Sequence, residues 1–377
     1  MFLKKRVNRN ELLIILLPLI ILAQVRSSFT WSLSFEITAV LVFLTAVVSM
    51  YDKRITFPNK LVAFTLYISV IVFLIINFQV SSLVSLLIFI SIFHIEEKTK
   101  QSSLYNLTTI LSCIIAVSLL SWLLHFNGIF IFPKYNHLDL SIIGNEGYLE
   151  NYILFLHHPI QTTIPRFYSI FEEPGDLALL LVFVIAANRF NFKDKRVFIL
   201  FLGLIFTYSL TGYLVFIFGL IAYKIKDFKT LIIVLIISVI IISVLYFLLK
   251  DVDAINLMII ERIINFEEKG LDSRVTDDLN SFYESFYLSI DSLLGMGKGY
   301  AGIHFNGASY KFFIIDYGWI GVFALLLIYI SIMFAYKKRN FVFLSMYALA
   351  FLPLYKAFLA WQIILFSLTY SKNNSCK

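Results

Sequence analysis

From residue 11 onward the chain returns repeatedly to apolar runs of the length one helix needs to cross a bilayer. Clear runs cover residues 11–25, 32–50, 61–77, 80–95, 104–126, 170–187, 229–249 and 314–335. Two more, 197–223 and 341–370, are longer than the roughly 20 residues of a single crossing. Composition agrees: 60% of residues are hydrophobic and 15% charged, well under the roughly 25% charged of soluble domains. The pattern predicts an all-α, polytopic integral membrane protein.

Charge decides how the two long runs divide. With Lys4, Lys5, Arg6 and Arg9 placed on the cytoplasmic side, successive crossings put the basic connections 51–60, 96–100 and 188–196 on that side too. A single helix over 197–223 would send Lys224, Lys226 and Lys229 outside. Two short helices broken around Ser209, Leu210, Thr211 and Gly212 keep them inside, and a split near Pro353 does the same for 336–340 and the tail. About twelve segments result, with both termini cytoplasmic. The first run, from Leu12 to Ala23, reads as a retained anchor, because no small-x-small cleavage pattern follows it. The formal net charge of +7 lies in short clusters between apolar runs, so it is a topology signal and not a nucleic-acid footprint. Cys113 and Cys376 fall on different levels and form no disulfide framework.

Two connections are long, and both are expected outside. The chain divides into N-terminal membrane helices (1–126), a first external loop (127–169), central helices (170–249), a second external loop (250–311), and C-terminal helices with a cytoplasmic tail (312–377). Long loops in an otherwise tightly connected protein are usually functional or disordered. Within the second, 279–295 carries Phe, Tyr and Leu at helical spacing, which predicts a helix lying on the membrane interface or capping a cavity.

Three groups of residues could carry chemistry. Arg166, Glu172, Glu173 and Asp176 cluster where the first loop re-enters the membrane, just before the break at Pro174-Gly175. Ionisable groups at such depth line a cavity or meet a partner, although acids are also ordinary at a helix start. Arg274 lies among Asp272, Asp277 and Asp278, a setting equally suited to a solvated ion-pair loop. Gly295, Gly297, Gly299 and Gly302 form a flexible approach to the last group, with His304 and Asn306 just before the helix containing Asp316. Adjacent His157 and His158 do not aim both rings at one metal ion, and no metal site is expected. No nucleotide-binding loop or hydrolase elbow is present in the sequence, and no cofactor is expected.

In order and placement these elements resemble the Wzy-type O-antigen and capsular polysaccharide polymerases and, more distantly, the O-antigen ligases. The resemblance runs over roughly residues 160–325. It rests on RFYSIFEEPGDLA (166–178), the helix break YSLTGYL (208–214), Ser273-Arg274, the glycines of 295–299, His304 with Asn306, and Gly318 to Gly321. At the break the family's usual Ser-Arg is replaced by Leu210-Thr211-Gly212.

The resemblance implies a GT-C-like, metal-independent glycosyltransferase of the bacterial inner membrane with two large periplasmic loops. It would build O-antigen, capsule or exopolysaccharide by joining undecaprenyl-diphosphate-linked repeat units. It implies glycan and membrane lipid as binding partners, and a flippase and a chain-length regulator as protein partners. On this reading Arg166 and Arg274 hold the donor diphosphate, since the planar guanidinium grips phosphate oxygens in pairs. His304, or one of Glu172 and Glu173, takes the proton from the acceptor hydroxyl. Tyr168, Tyr283 and Asn306 contact sugar. A ligase of lipopolysaccharide would share this architecture. A flippase or other transporter would be expected to show related halves and mid-membrane charges, which the sequence lacks.

Overall fold

The computed structural model describes residues 9–25, 27–30, 34–50, 68, 87–88, 90–140, 147–159, 165–224, 276–297, 299–305, 309–335, 346 and 360–369. All of the expected run 229–249, most of 61–77 and 341–370, half of 80–95, and the candidate residues Arg274 and Asn306 lie outside the described residues. What is described is mostly helical.

Helices α1 (Arg9–Gln24) and α2 (Ser34–Met50) pack as a hairpin, and α1 also packs on α3 (Glu97–Phe126). Arg9 ties the foot of this group. Its Nε donates to the Val48 carbonyl at 2.8 Å and its Nη2 donates to that of Ser49, filling acceptors that the last turn of α2 leaves open.

Helix α4 (Pro174–Ala187) is the centre of the bundle. Every residue from Leu177 to Ala187 is buried, because neighbours surround it: α3, α5 (Lys195–Phe206), α6 (Leu210–Lys224) and α11 (Ala360–Thr369). A helix apolar on all sides can only sit inside other protein or lipid. Its level against α3 is set by two polar contacts: Asn188 Nδ2 donates to Thr108 Oγ1 at 2.8 Å, and the Ser169 and Ser118 hydroxyls bond at 2.9 Å. Pro174 stands in the first turn, where its missing N–H costs nothing.

The expected break in 197–223 is present, at residues 207–209, three to five residues before Gly212. Helix α5 ends at Phe206, Tyr208 takes a φ of +48°, and Ser209 Oγ accepts the Gly212 N–H to start α6. Gly212 serves packing instead, since a Cβ there would lie 2.6 Å from Ala178 Cβ on α4. The 12 residues of α5 rise about 18 Å, short of the roughly 30 Å hydrocarbon core.

The first long loop adds a small sheet to this mostly helical chain. It holds an antiparallel sheet of β1 (Asn136–Asp139), β2 (Tyr148–Asn151) and β3 (Leu156–His157), with Leu138 opposite Leu149 and Glu150 opposite His157. The reason is alternation: His137 and Asp139 are exposed while Leu138 and Leu140 turn inward. The inward leucines meet Leu149, Leu156 and Tyr168 in a small core.

In the second long loop, the stretch 279–295 does not make one helix. It forms α7 (Asp277–Phe286), a turn, and the short α8 (Asp291–Leu294), followed by α9 (Tyr300–His304). All three pack on α10 (Tyr310–Ala335), which is interrupted at Gly318 with φ +66° and ψ 178°. Among the described residues two helices, Glu97–Phe126 and Tyr310–Phe334, have the length and apolarity of membrane spans.

Candidate functional site

The segment entering α4 is held from three sides by backbone hydrogen bonds. Phe167 N donates to Phe206 O at 3.0 Å, Ser28 N to Ile170 O at 2.8 Å, and Leu156 N to Ser169 O at 2.6 Å. These join the segment to the α5–α6 break, the α1–α2 connection and β3. Extended backbone has its donors and acceptors to place, and here they staple three elements together.

Arg166 is half-buried at the start of this segment. Its Nε donates to the Thr207 carbonyl at 3.1 Å, in the α5–α6 break. One face of the guanidinium edge is thus fixed by the fold, which orients the remaining donors of its fork. Glu172 is buried and Glu173 half-buried, and Asp176 stands in the first turn of α4. Arg166 lies six residues before Glu172 on the segment that enters α4, and the three carboxyl groups stand at the start of that helix. A guanidinium can grip anionic oxygen, and carboxylates can accept a proton.

Tyr168 needs reassignment. Its ring is 4% exposed, packed with Leu138, Leu140, Leu149 and Leu156, so it belongs to the loop core and offers no open face to a sugar. Its burial follows from the three staples and the sheet leucines, which no local pattern in R-F-Y-S-I-F announces.

Tyr283 and His304 belong to a second group, built on α7, α9 and α10. Tyr283 is largely covered, stacked on Tyr287 with ring centres 5.7 Å apart, and Lys311 Nζ lies 5.2 Å from its centroid. Lys311 is a residue the sequence reading passed over. It is buried, and its Nζ donates to Asn280 Oδ1 at 2.6 Å. His304 is exposed at the end of α9, its ring 4.3 Å from that of Tyr300.

The Gly-rich approach is fastened by Asp316. Both of its carboxylate oxygens accept backbone N–H groups, from Gly299 at 2.8 Å and Ala301 at 2.9 Å. Its backbone carbonyl accepts from Gly297 N at 3.1 Å. The acid in an apolar helix is therefore a clamp that sets the start of α9, and so the place of His304.

A further polar group occupies the first loop. Glu150 accepts from Lys134 Nζ at 3.0 Å and from the Tyr152 hydroxyl at 2.8 Å. Desolvation raises the Glu150 carboxyl, but the hydrogen bonds of Lys134 and Tyr152 and the charge of Lys134 outweigh it and hold it below its ordinary range. Burial, aided by the neighbouring Glu150, pushes Tyr152 up to about 12. Burial pushes His157 below its ordinary value; Glu150 opposes this, while His158 and His125 add to it. His158 is lowered by burial as well.

A pH dependence follows. A lowered carboxyl contributes stability above its ordinary value that is lost as pH falls through the folded value. A lowered imidazole acts in the same direction, since the unfolded loop takes up its proton first as pH falls below 6.5. Protection factors for hydrogen exchange across 147–158, taken against the intrinsic rate at each pH, are expected to fall from about pH 6.5 downward, and more steeply below about pH 4.5. Equal protection at pH 7.5 and pH 4 would refute this assignment of charges.

Among the described residues no group of three or more His, Cys, Asp or Glu is placed to hold a metal ion. No family model, curated protein or solved structure matches the chain.

Proposed function

We propose that this chain is a polytopic bacterial inner-membrane glycosyltransferase of GT-C-like architecture, with about twelve crossings. It polymerises undecaprenyl-diphosphate-linked repeat units into O-antigen or capsular polysaccharide at the periplasmic face. The observation that carries the reading is Arg166, bonded to Thr207 at a helix break, on the short segment that leads through Glu172 and Glu173 into the buried helix α4. Apolar faces support the membrane setting. Val40, Phe43 and Val47 on α2, Val117 and Leu120 on α3, and Leu214 on α6 are all exposed, a surface suited to lipid and costly in water.

In this reading the bond between the donor's anomeric carbon and the diphosphate breaks, and a bond from that carbon to an acceptor hydroxyl oxygen forms. Arg166, with Arg274, takes the charge that grows on the leaving diphosphate. Glu172, Glu173 or His304 accepts the hydroxyl proton. The α5–α6 hairpin, too short to span alone, is supported by α3 and α4, as non-spanning backbone at membrane depth must be.

Deleting the gene in its host and separating the surface glycan on a gel tests the reading. Collapse of the ladder to core plus one repeat unit supports a polymerase. Polymer retained on its lipid carrier but missing from lipid A would identify a ligase instead. An unchanged ladder would sink both and favour a transporter.

A further inference from the structure

The second loop shows two kinds of surface. Along α7 the exposed side chains are Asp277, Asp278, Ser281, Glu284 and Ser285, a set suited to water, while Leu279, Tyr283 and Phe286 are buried. From residue 287 the character reverses. Leu288 is 79% and Ile290 85% exposed, and Leu293, Leu294 and Met296 stand open beside them. Asp291 is the one charged residue in 287–296. A cluster of large apolar side chains left open on a loop marks a surface that something apolar covers.

Helix α10 sets the level of this stretch. Before its break at Gly318, Phe312, Phe313, Ile314 and Ile315 are buried; after it, Trp319 and Phe323 are exposed. Residues 319–335 rise about 25 Å, close to the roughly 30 Å of a hydrocarbon core, so the break lies at the membrane boundary. Trp319 is the residue type favoured there. Its Nε1 donates to Tyr287 O at 3.2 Å, and Met296 N donates to Ile315 O at 2.7 Å, which holds 287–296 at the same height. The stretch also meets its own polar needs, as contact with lipid demands. Ser289 Oγ donates to Phe286 O and Ser292 Oγ to Ser289 O, both at 2.7 Å, while the Leu293 and Gly295 amides donate to Ile290 O and Asp291 O.

We propose that 287–296 is an interfacial membrane anchor, whose partner is the external leaflet of the bilayer around α10. Leu288, Ile290, Leu293 and Leu294 enter the boundary between headgroups and acyl chains, continuing the lipid face that Trp319 and Phe323 begin. Asp291 keeps the insertion shallow, because a carboxylate is costly below the headgroups. The anchor holds the second loop, with α9 and His304, at a fixed height over the membrane. It rests on the membrane setting proposed above and not on the reaction.

The test places single nitroxide labels on the full chain in phospholipid nanodiscs, in a Cys113→Ser, Cys376→Ser background. Ile290→Cys and Leu294→Cys report the anchor, Glu284→Cys the water face of α7, and Phe323→Cys the spanning part of α10. Power-saturation EPR compares access of oxygen, which concentrates in lipid, with that of a nickel chelate, which stays in water. Oxygen is expected to dominate at Ile290→Cys and Leu294→Cys, at a depth of roughly 5–10 Å, and the nickel chelate at Glu284→Cys. All four positions are exposed, so the labels leave the packing in place, and the second anchor site serves if one variant unfolds. Nickel dominance at either anchor site overturns the anchor. So does exclusion of both reagents, which would mean that protein covers the face, from elsewhere in the chain or from a second copy. Oxygen at Phe323→Cys with nickel at Ile290→Cys would end the anchor and leave the membrane reading intact. Oxygen at both anchor sites beside an unchanged glycan ladder would keep the anchor and end the polymerase reading.

Discussion

Arg166→Ala and Arg166→Lys are each expected to reduce the surface glycan to single repeat units while the protein accumulates at its normal level. The substitution removes, with the side chain's other contacts, the bond from Nε to the Thr207 carbonyl, itself worth about 1 kcal/mol, and the side chain is only half-buried. The neighbouring Phe167–Phe206 and Leu156–Ser169 backbone bonds still hold the segment. On the proposed reading the functional cost is large, because a donor aimed at developing charge is worth roughly 100- to 1,000-fold in rate. Lysine does not rescue. It is a point charge on a flexible stem, with neither the Nε that bonds Thr207 nor a planar fork. The measurement is a glycan gel beside an immunoblot of membrane protein. Wild-type chain lengths in Arg166→Lys would end the clamp assignment. The same loss is expected for Arg274→Ala and Arg274→Lys.

Gly318→Ala is expected to undock the second loop from α10 and to abolish polymer. Two penalties coincide there. The backbone, at φ +66° and ψ 178°, lies in a region that is essentially glycine-only, costing of order 1–3 kcal/mol for any other residue. A Cβ would also sit 2.3 Å from the Leu293 carbonyl oxygen, and backbone cannot rotate aside as a side chain can. Gly295 faces it under the same two constraints, with φ +79°, ψ 172° and a Cβ position 2.6 Å from the Asp316 carbonyl oxygen. The two glycines let α8 and the α10 break approach closely enough for Met296 N to reach Ile315 O at 2.7 Å. Either alanine therefore separates the surfaces that position α9 and His304. Limited proteolysis across 287–305 is the readout. Gly318→Ala and Gly295→Ala are expected to be cut much faster than wild type. Gly302→Ala, with open space around it and no left-handed φ, is expected to behave as wild type. Equal protection in Gly318→Ala would show that the docking does not depend on this contact.

Hydropathy along the chain was enough to place α1, α2, α3, α4 and α10, because an apolar run of helical length has few other uses. Charge asymmetry anticipated the α5–α6 break, and Pro174 after two acids marked the start of α4. These are properties of one segment at a time, readable from composition and period. The small sheet was also legible, in the His137–Leu140 alternation, but four strand residues between helices are a faint signal beside runs of twenty.

What only tertiary structure decided are the meetings between segments far apart. Arg166 finds a carbonyl 41 residues away, and Lys311 an amide 31 residues away. Gly295 and Gly318 touch because a turn ends α7 early and a break opens α10. Tyr168 looks like an exposed interface aromatic in sequence, and leucines contributed by all three strands bury it. Trp122 and His157 come to one Phe126 only once β3 is paired to β2 and bonded to Ser169. Residue type and spacing fix how a segment lies in lipid. Which donors and acceptors then face one another depends on how the segments pack, and that relation between segments has no local signature.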